Sequence, residues 1–185
     1  MKDWKTISSK KIYENPWIKV EEDQVINPSG NEGIYGKVLF KNKAIAIIPV
    51  DENLNTWIVG QYRYTLDEYS WEIPMGGGPI EDDVLDSAKR ELKEETGLIA
   101  KKWEQIMRIH TSNSVTNEEG FVYVASQLIQ EETEFEDTEA LVVKKLPLQE
   151  AINLVMKGEI TDSISIAGLF KVGAMIENGE LKIDE

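Results

Sequence analysis

The most apolar stretch of the chain is residues 44–50 (AIAIIPV), a nearly continuous hydrophobic run that predicts a strand buried on both faces. Pro49 weakens its ladder near the end, because proline has no N–H to donate. Before this run, residues 17–26 alternate roughly between polar and apolar and read as a strand. Asn27-Pro28-Ser29-Gly30 has the residue types of a turn, and residues 34–40 form a second strand, so 17–40 is expected to be an antiparallel hairpin. Residues 1–12 are mixed polar and basic, a short strand or a loose arm, and 41–43 is a polar turn. Beyond the run come a turn over 51–55, a strand over 57–64 and a polar connection over 65–70. Trp71-Glu72-Ile73-Pro74 then leads into a glycine loop, Gly76-Gly77-Gly78, whose backbone can take positive φ and approach a ligand closely. From here the period becomes helical. Val84, Leu85, Ala88 and Leu92 supply the apolar face of a helix from about Asp83 to Thr96, with Gly97 as its stop. Strands are expected over 103–109, 121–126 and 141–146, and helices over 147–157 and 161–177, separated by Gly158. The polar loop 110–120 is long enough to reach over a site. Strands and helices mixed without strict alternation predict an α/β fold, a mixed sheet with helices on its faces.

Composition narrows the class. A chain of 185 residues with 41% hydrophobic and 29% charged residues reads as a soluble domain, alone or with a small appendage. No apolar run is long enough to span a membrane, and the first residues lack the apolar core of a secretory signal. The absence of cysteine excludes a disulfide scaffold, a thiolate metal site and a cysteine nucleophile, and the cytoplasm is the expected compartment. A net charge of −14 argues against nucleic acid or anionic membranes as partners. It would also repel a pyrophosphate, so a phosphohydrolase of this charge should depend strictly on its metal.

The chemistry concentrates on the helix. At about 3.6 residues per turn, Glu91, Glu94 and Glu95 share one side. Like charges so placed cost roughly a few tenths of a kcal/mol per pair. A hard cation reverses that cost. Few carboxylates, with waters and substrate phosphates completing the shell, is the Mg²⁺ style of site. Arg90, adjacent, can orient one carboxylate through a bidentate pair.

Residues 76–98 (GGGPIEDDVLDSAKRELKEETGL) resemble the Nudix box, G-x5-E-x7-R-E-U-x-E-E-x-G-U with U aliphatic. Gly76, Arg90, Glu91, Leu92, Glu94, Glu95, Gly97 and Leu98 fall in register. The first acidic position holds Asp82, whose shorter reach suits an N-cap rather than a ligand. The resemblance implies a Nudix α/β/α sandwich. Three further features resemble the ADP-ribose pyrophosphatase and nucleoside diphosphate sugar hydrolase branch. They are the N-terminal hairpin, the run Gln61-Tyr62-Arg63-Tyr64 followed by Trp71-Glu72-Ile73-Pro74-Met75-Gly76, and the stretch from Thr116 to Ala125. Ser112-Asn113-Ser114-Val115 departs from the proline and glycine often found before that last stretch.

That resemblance implies residues 1–42 as a dimerising strand region and 43–185 as the hydrolase domain, working as a homodimer. It implies hydrolysis of a nucleotide-sugar pyrophosphate to a nucleoside monophosphate and a sugar phosphate, with Mg²⁺ or Mn²⁺. Glu91, Glu95 and Glu94 are the implied metal ligands, with the Met75 carbonyl beside them. Glu118 is the candidate general base or extra ligand, with Glu119 as the competing register. Arg63 is placed to clamp a phosphate, Glu72 to accept a hydrogen bond from the nucleotide or from a donor across an interface, or the two serve structural ion pairs. Trp17, Trp71 and Tyr13 are candidates to stack on a base, or else pack. His110 reads as structural. The competing readings are a hydrolase of nucleoside triphosphates or dinucleotides, and a non-catalytic nucleotide sensor.

Overall fold

The computed structural model describes residues 3–131, 141–181 and 183. Three antiparallel strands open the chain: β1 (Lys5–Glu14), β2 (Ile18–Ile26) and β3 (Glu32–Phe40), in the order β1-β2-β3. The hairpin over 17–40 is therefore present, but residues 5–14 are neither short nor loose. They form a ten-residue strand paired along β2 from Lys5↔Ile26 to Glu14↔Lys19. Every residue of β1 is exposed, so no alternation of burial marked it in the sequence.

The second part is built on β4 (Asn42–Pro49), which begins inside the segment expected to be a turn. It is the second strand of a mixed four-stranded sheet, β7-β4-β9-β8, formed with β7 (Met75–Pro79), β8 (Leu98–His110) and β9 (Glu119–Gln130). β4 runs parallel to β9 and antiparallel to β7. A smaller sheet, β10-β5-β6, contains β5 (Asn55–Arg63), β6 (Glu68–Glu72) and β10 (Val142–Pro147). The polar connection expected over 65–70 is thus a tight turn followed by a strand. Helix α1 (Val84–Thr96) covers one face of the larger sheet, and α2 (Leu148–Met156) and α3 (Ser163–Glu177) belong to the other face.

The double burial expected of 44–50 is realised by alternation. Ile45 and Ile47 pack with Ala88 and Leu92 of α1, while Ala46, Ile48 and Val50 pack with Val122, Leu169 and Val172 on the side of α3. Each fully buried isoleucine contributes roughly 1.5–3 kcal/mol. Among the described residues no helix is long and apolar enough to cross a membrane.

The link from β4 to β5 is tied by one carboxylate. Asp51 is buried, and its Oδ1 accepts from the backbone N–H groups of Asn53 (3.0 Å) and Asn55 (2.8 Å). Its Oδ2 pairs with Lys145 Nζ at 2.7 Å. Burial alone would push the Asp51 carboxyl up, but Lys145, the Asn55 side chain and the two backbone donors together hold it below its usual value. A depressed folded-state pKa stabilises the fold above the unfolded value of about 3.9, and that contribution fades as pH falls through the folded value. Asp51→Asn should therefore cost about 1–3 kcal/mol at pH 7 and flatten the acid limb of the stability curve. Urea unfolding between pH 3 and 7 reads both, and an unchanged acid limb in the variant would count against the assignment.

Candidate active site

Helix α1 carries the acidic ridge, and its ends are well fixed. Asp83, not Asp82, is the N-cap, accepting from the N–H groups of Leu85 and Asp86. The cap lies one residue later than expected, because it is Asp83 that precedes the first helical residue in extended conformation (φ −65, ψ 127). Gly97 ends the helix at φ 68 and donates to Lys93 O, the left-handed stop expected of it.

The three glycines do not form a loop. They lie in β7 at negative φ, paired to β4 as Ala44↔Gly77 and Ile45↔Gly76. Close approach is what requires them. A Cβ on Gly76 would overlap the Glu91 carboxylate, and one on Gly78 would meet Ile45 and Ser87. The helix is thereby laid against the strand with the Glu91 carboxylate over the bare backbone.

Arg90 ties this arrangement together. Its Nη1 donates to Glu94 (2.7 Å), and its Nη2 donates to Glu91 (2.6 Å) and to the Gly77 carbonyl (3.0 Å). Burial works against its charge, but the charges of Glu91 and Glu94 outweigh it and push the Arg90 pKa up. Glu95 is 1% exposed and accepts from the Met75 N–H at 2.9 Å. Glu91, Glu94, Glu95 and Met75 are thus brought to one seam between α1 and β7. Carboxylate and carbonyl oxygens are the donor chemistry that a hard divalent ion takes. Among the described residues no three acidic or histidine side chains already enclose an ion-sized point. A cation here would complete its shell with water and substrate oxygens, in the Mg²⁺ manner.

A cleft of about 460 Å³ is lined by Arg63, Glu72 and Glu118 together with Phe40, Ser70 and Asp162. Arg63 and Glu72 form a two-pronged ion pair within the β5–β6 hairpin, one prong at 2.9 Å. The Glu72 hydrogen bond holds Arg63 charged, burial opposes it, and the fields of Glu72, Asp162 and Glu95 add to it. Glu95 therefore acts electrostatically on the guanidinium of the cleft. The Glu118 carboxylate accepts from the Thr111 hydroxyl and faces the cleft, whereas Glu119 pairs with Arg108.

The aromatic candidates do not line this cleft. Trp17 is 65% exposed beside the N-terminal sheet, Tyr13 is exposed on β1, and Trp71 packs edge-on against Tyr69 and onto the core. His110 is the exposed last residue of β8, opposite Glu119. Sequence reasoning missed Phe40, Ser70 and Asp162. Asp162 caps α3 by accepting from Ser165 N–H, and an Asp-Ser pair at the start of an apolar helix could have been read as that cap.

The family described as NUDIX domain matches residues 41–165, and the one described as nucleoside diphosphate sugar hydrolase N-terminal domain matches residues 4–38. An ADP-ribose pyrophosphatase of Mycobacterium tuberculosis is 33% identical over 94% of this chain and 84% of its own length. An ADP-ribose pyrophosphatase of Bacillus subtilis is 29% identical over 86% of each chain. In fold, a crystal structure of an ADP compounds hydrolase superposes with a TM-score of 0.86 over 98% of both chains, at 19% identity.

Proposed function

The chain belongs to the Nudix family, and from that premise we propose that it hydrolyses the pyrophosphate bond of ADP-ribose or a related nucleoside diphosphate sugar, releasing a nucleoside monophosphate and a sugar phosphate. The observation that carries this reading is the seam between α1 and β7, where Glu95 accepts from the Met75 N–H, Glu91 lies against Gly76 and Arg90 joins Glu91 and Glu94 to the Gly77 carbonyl, with the charge of Glu95 acting on Arg63 in the cleft that also holds Glu118. The named activity of the relatives, which match along most of the chain, supports the choice of substrate class.

Glu91, Glu95 and Glu94, with the Met75 carbonyl, would hold the divalent ion, which we take to be Mg²⁺, with Mn²⁺ as its substitute. When bound, the ion neutralises phosphate oxygens and acidifies water. Arg90 orients Glu91 and Glu94 through its fork. Glu118 accepts the proton of the attacking water at its carboxylate, steadied by the Thr111 hydroxyl. Arg63 presents its guanidinium to a substrate phosphate while Glu72 fixes its plane. With a net charge of −14, the protein has no general attraction for such a substrate, so these local cations carry its recognition.

We further propose that residues 1–42 are the dimerising region and that a homodimer meets through the sheet β1-β2-β3. Its support is apolar surface left open among the described residues: Trp4, Ile7, Ile12, Tyr13, Trp17 and Ile34 are all exposed. Trp17 and Tyr13 would then serve packing or a base contact across subunits.

Product analysis with and without Mg²⁺ tests the activity, on ADP-ribose, ADP-glucose, GDP-mannose, UDP-glucose, a dinucleoside polyphosphate and a nucleoside triphosphate. Monophosphate should appear from diphospho-sugars, and only with metal. Cleavage of the triphosphate alone would move the protein to another substrate class, and binding without turnover would make it a sensor.

A further inference from the structure

Strand β3 is the last of its sheet, so its outer edge has no strand partner within that sheet. The segment preceding Glu118 occupies this edge. Val38 N–H donates to Val115 O (2.9 Å), Asn117 N–H donates to Val38 O (3.4 Å), and Val38 and Thr116 form a parallel bridge. Two residues further along β3, the donor changes partner type: Phe40 N–H donates to the Asn117 side-chain oxygen at 2.6 Å. The Tyr35 hydroxyl adds a bond to Ser114 O.

Two lengths of chain therefore pass side by side, in the same direction, from the N-terminal sheet into the main sheet. Val38 lies beside Thr116 at the start, and Ala44 beside Gly120 at the end. One track takes six steps along the chain and the other four, and Glu118 is the midpoint of the shorter one. Phe40, whose N–H Asn117 holds, also lines the cleft. At this point a side-chain amide replaces a main-chain carbonyl as the acceptor. That substitution lets the backbone leave the edge of β3 and turn the next residue, Glu118, toward the cleft.

We infer that Asn117 is a positioning residue for Glu118, and that through it the N-terminal sheet forms part of the catalytic machinery. The inference rests on the reading of Glu118 as general base given above. The loss of one backbone anchor should displace the carboxylate by a fraction of its reach.

The test compares Asn117→Ala with Asn117→Asp, which keeps the acceptor, each alone and in a Glu118→Gln background. Asn117→Ala should lower kcat by about 10- to 100-fold, as a displacement near 1 Å does, with KM nearly unchanged. Hydrogen exchange should show the Phe40 amide unprotected in Asn117→Ala and protected in Asn117→Asp, which also recovers most of kcat. In the Glu118→Gln background, Asn117→Ala should remove nothing further, because the two residues act as one unit. Should Asn117→Ala fail to fold, Asn117→Gln, which moves the amide by one methylene, gives the same comparison. Full kcat in Asn117→Ala, or an equal further loss on top of Glu118→Gln, overturns the inference and leaves the base assignment standing. Full activity in Glu118→Gln overturns both.

Discussion

Glu95→Gln should fold normally and lose activity by about a thousandfold, equivalent to about 4 kcal/mol of transition-state stabilisation. The side chain is 1% exposed and its Oε2 accepts from the Met75 N–H. An amide oxygen of the same shape keeps that bond and fills the same space, so the fold should not suffer. What disappears is one negative charge at the seam where a cation would sit, and with it part of the field felt by Arg63. Steady-state rates across a metal titration, read beside a thermal melt, separate the two effects. Full activity in a folded variant would falsify the ligand assignment.

Arg63→Ala should be the most damaging change to the cleft, acting on stability and turnover together. It strands the Glu72 carboxylate, which is 3% exposed and whose two oxygens accept from Arg63. Breaking a buried pair costs about 3–5 kcal/mol. One flank of Arg63 is open to solvent, so about 2–3 kcal/mol is expected here. A second change, Glu72→Gln, should return part of that stability, because the stranded charge is then gone. It should return none of the activity, because the guanidinium is still missing. Urea unfolding of the single and double variants, with kcat/KM for each, reads this directly. A double variant no more stable than Arg63→Ala would show that the pair does not stabilise the fold.

Legibility in the sequence followed the range of the forces involved. Helix α1 could be read because its apolar period, its cap and Gly97 are local features. The acidic ridge followed from spacing alone. Gly76 to Gly78 misled, because three glycines signal freedom, whereas here they mark contact. The Glu91 carboxylate and the Ser87 side chain occupy the space a Cβ would need, and pairing to β4 makes a strand of the segment. Strand β1 could be read only as a short strand or a loose arm because all its residues face solvent, and its length is defined by its register against β2. The union of Arg63 with Glu72 depends on the β5–β6 hairpin, whose second strand includes residues that read as a polar connection. Asn117 left no sequence signal, since its partner is a backbone N–H 77 residues away.

The parallel tracks that place Glu118 also decide when the site can exist. Each hairpin of this protein closes over a few residues and can form within microseconds. The seam of β4 with β9 joins Ala44 to Gly120, a closure over 76 residues that costs on the order of 4 kcal/mol of chain entropy. During synthesis, at roughly 5–20 residues per second, the apolar edge of β4 waits on the order of 4–15 s for its second neighbour. Over that interval Ile45, Ile47 and Ile48 lie in a strand with one ladder unmade. Of the two neighbours of β4, β7 is synthesised before β9, so the pairing that carries Glu118 into the main sheet is the later of the two. The placement of Glu118 thus depends on a pairing between residues far apart in the chain, not on a local turn.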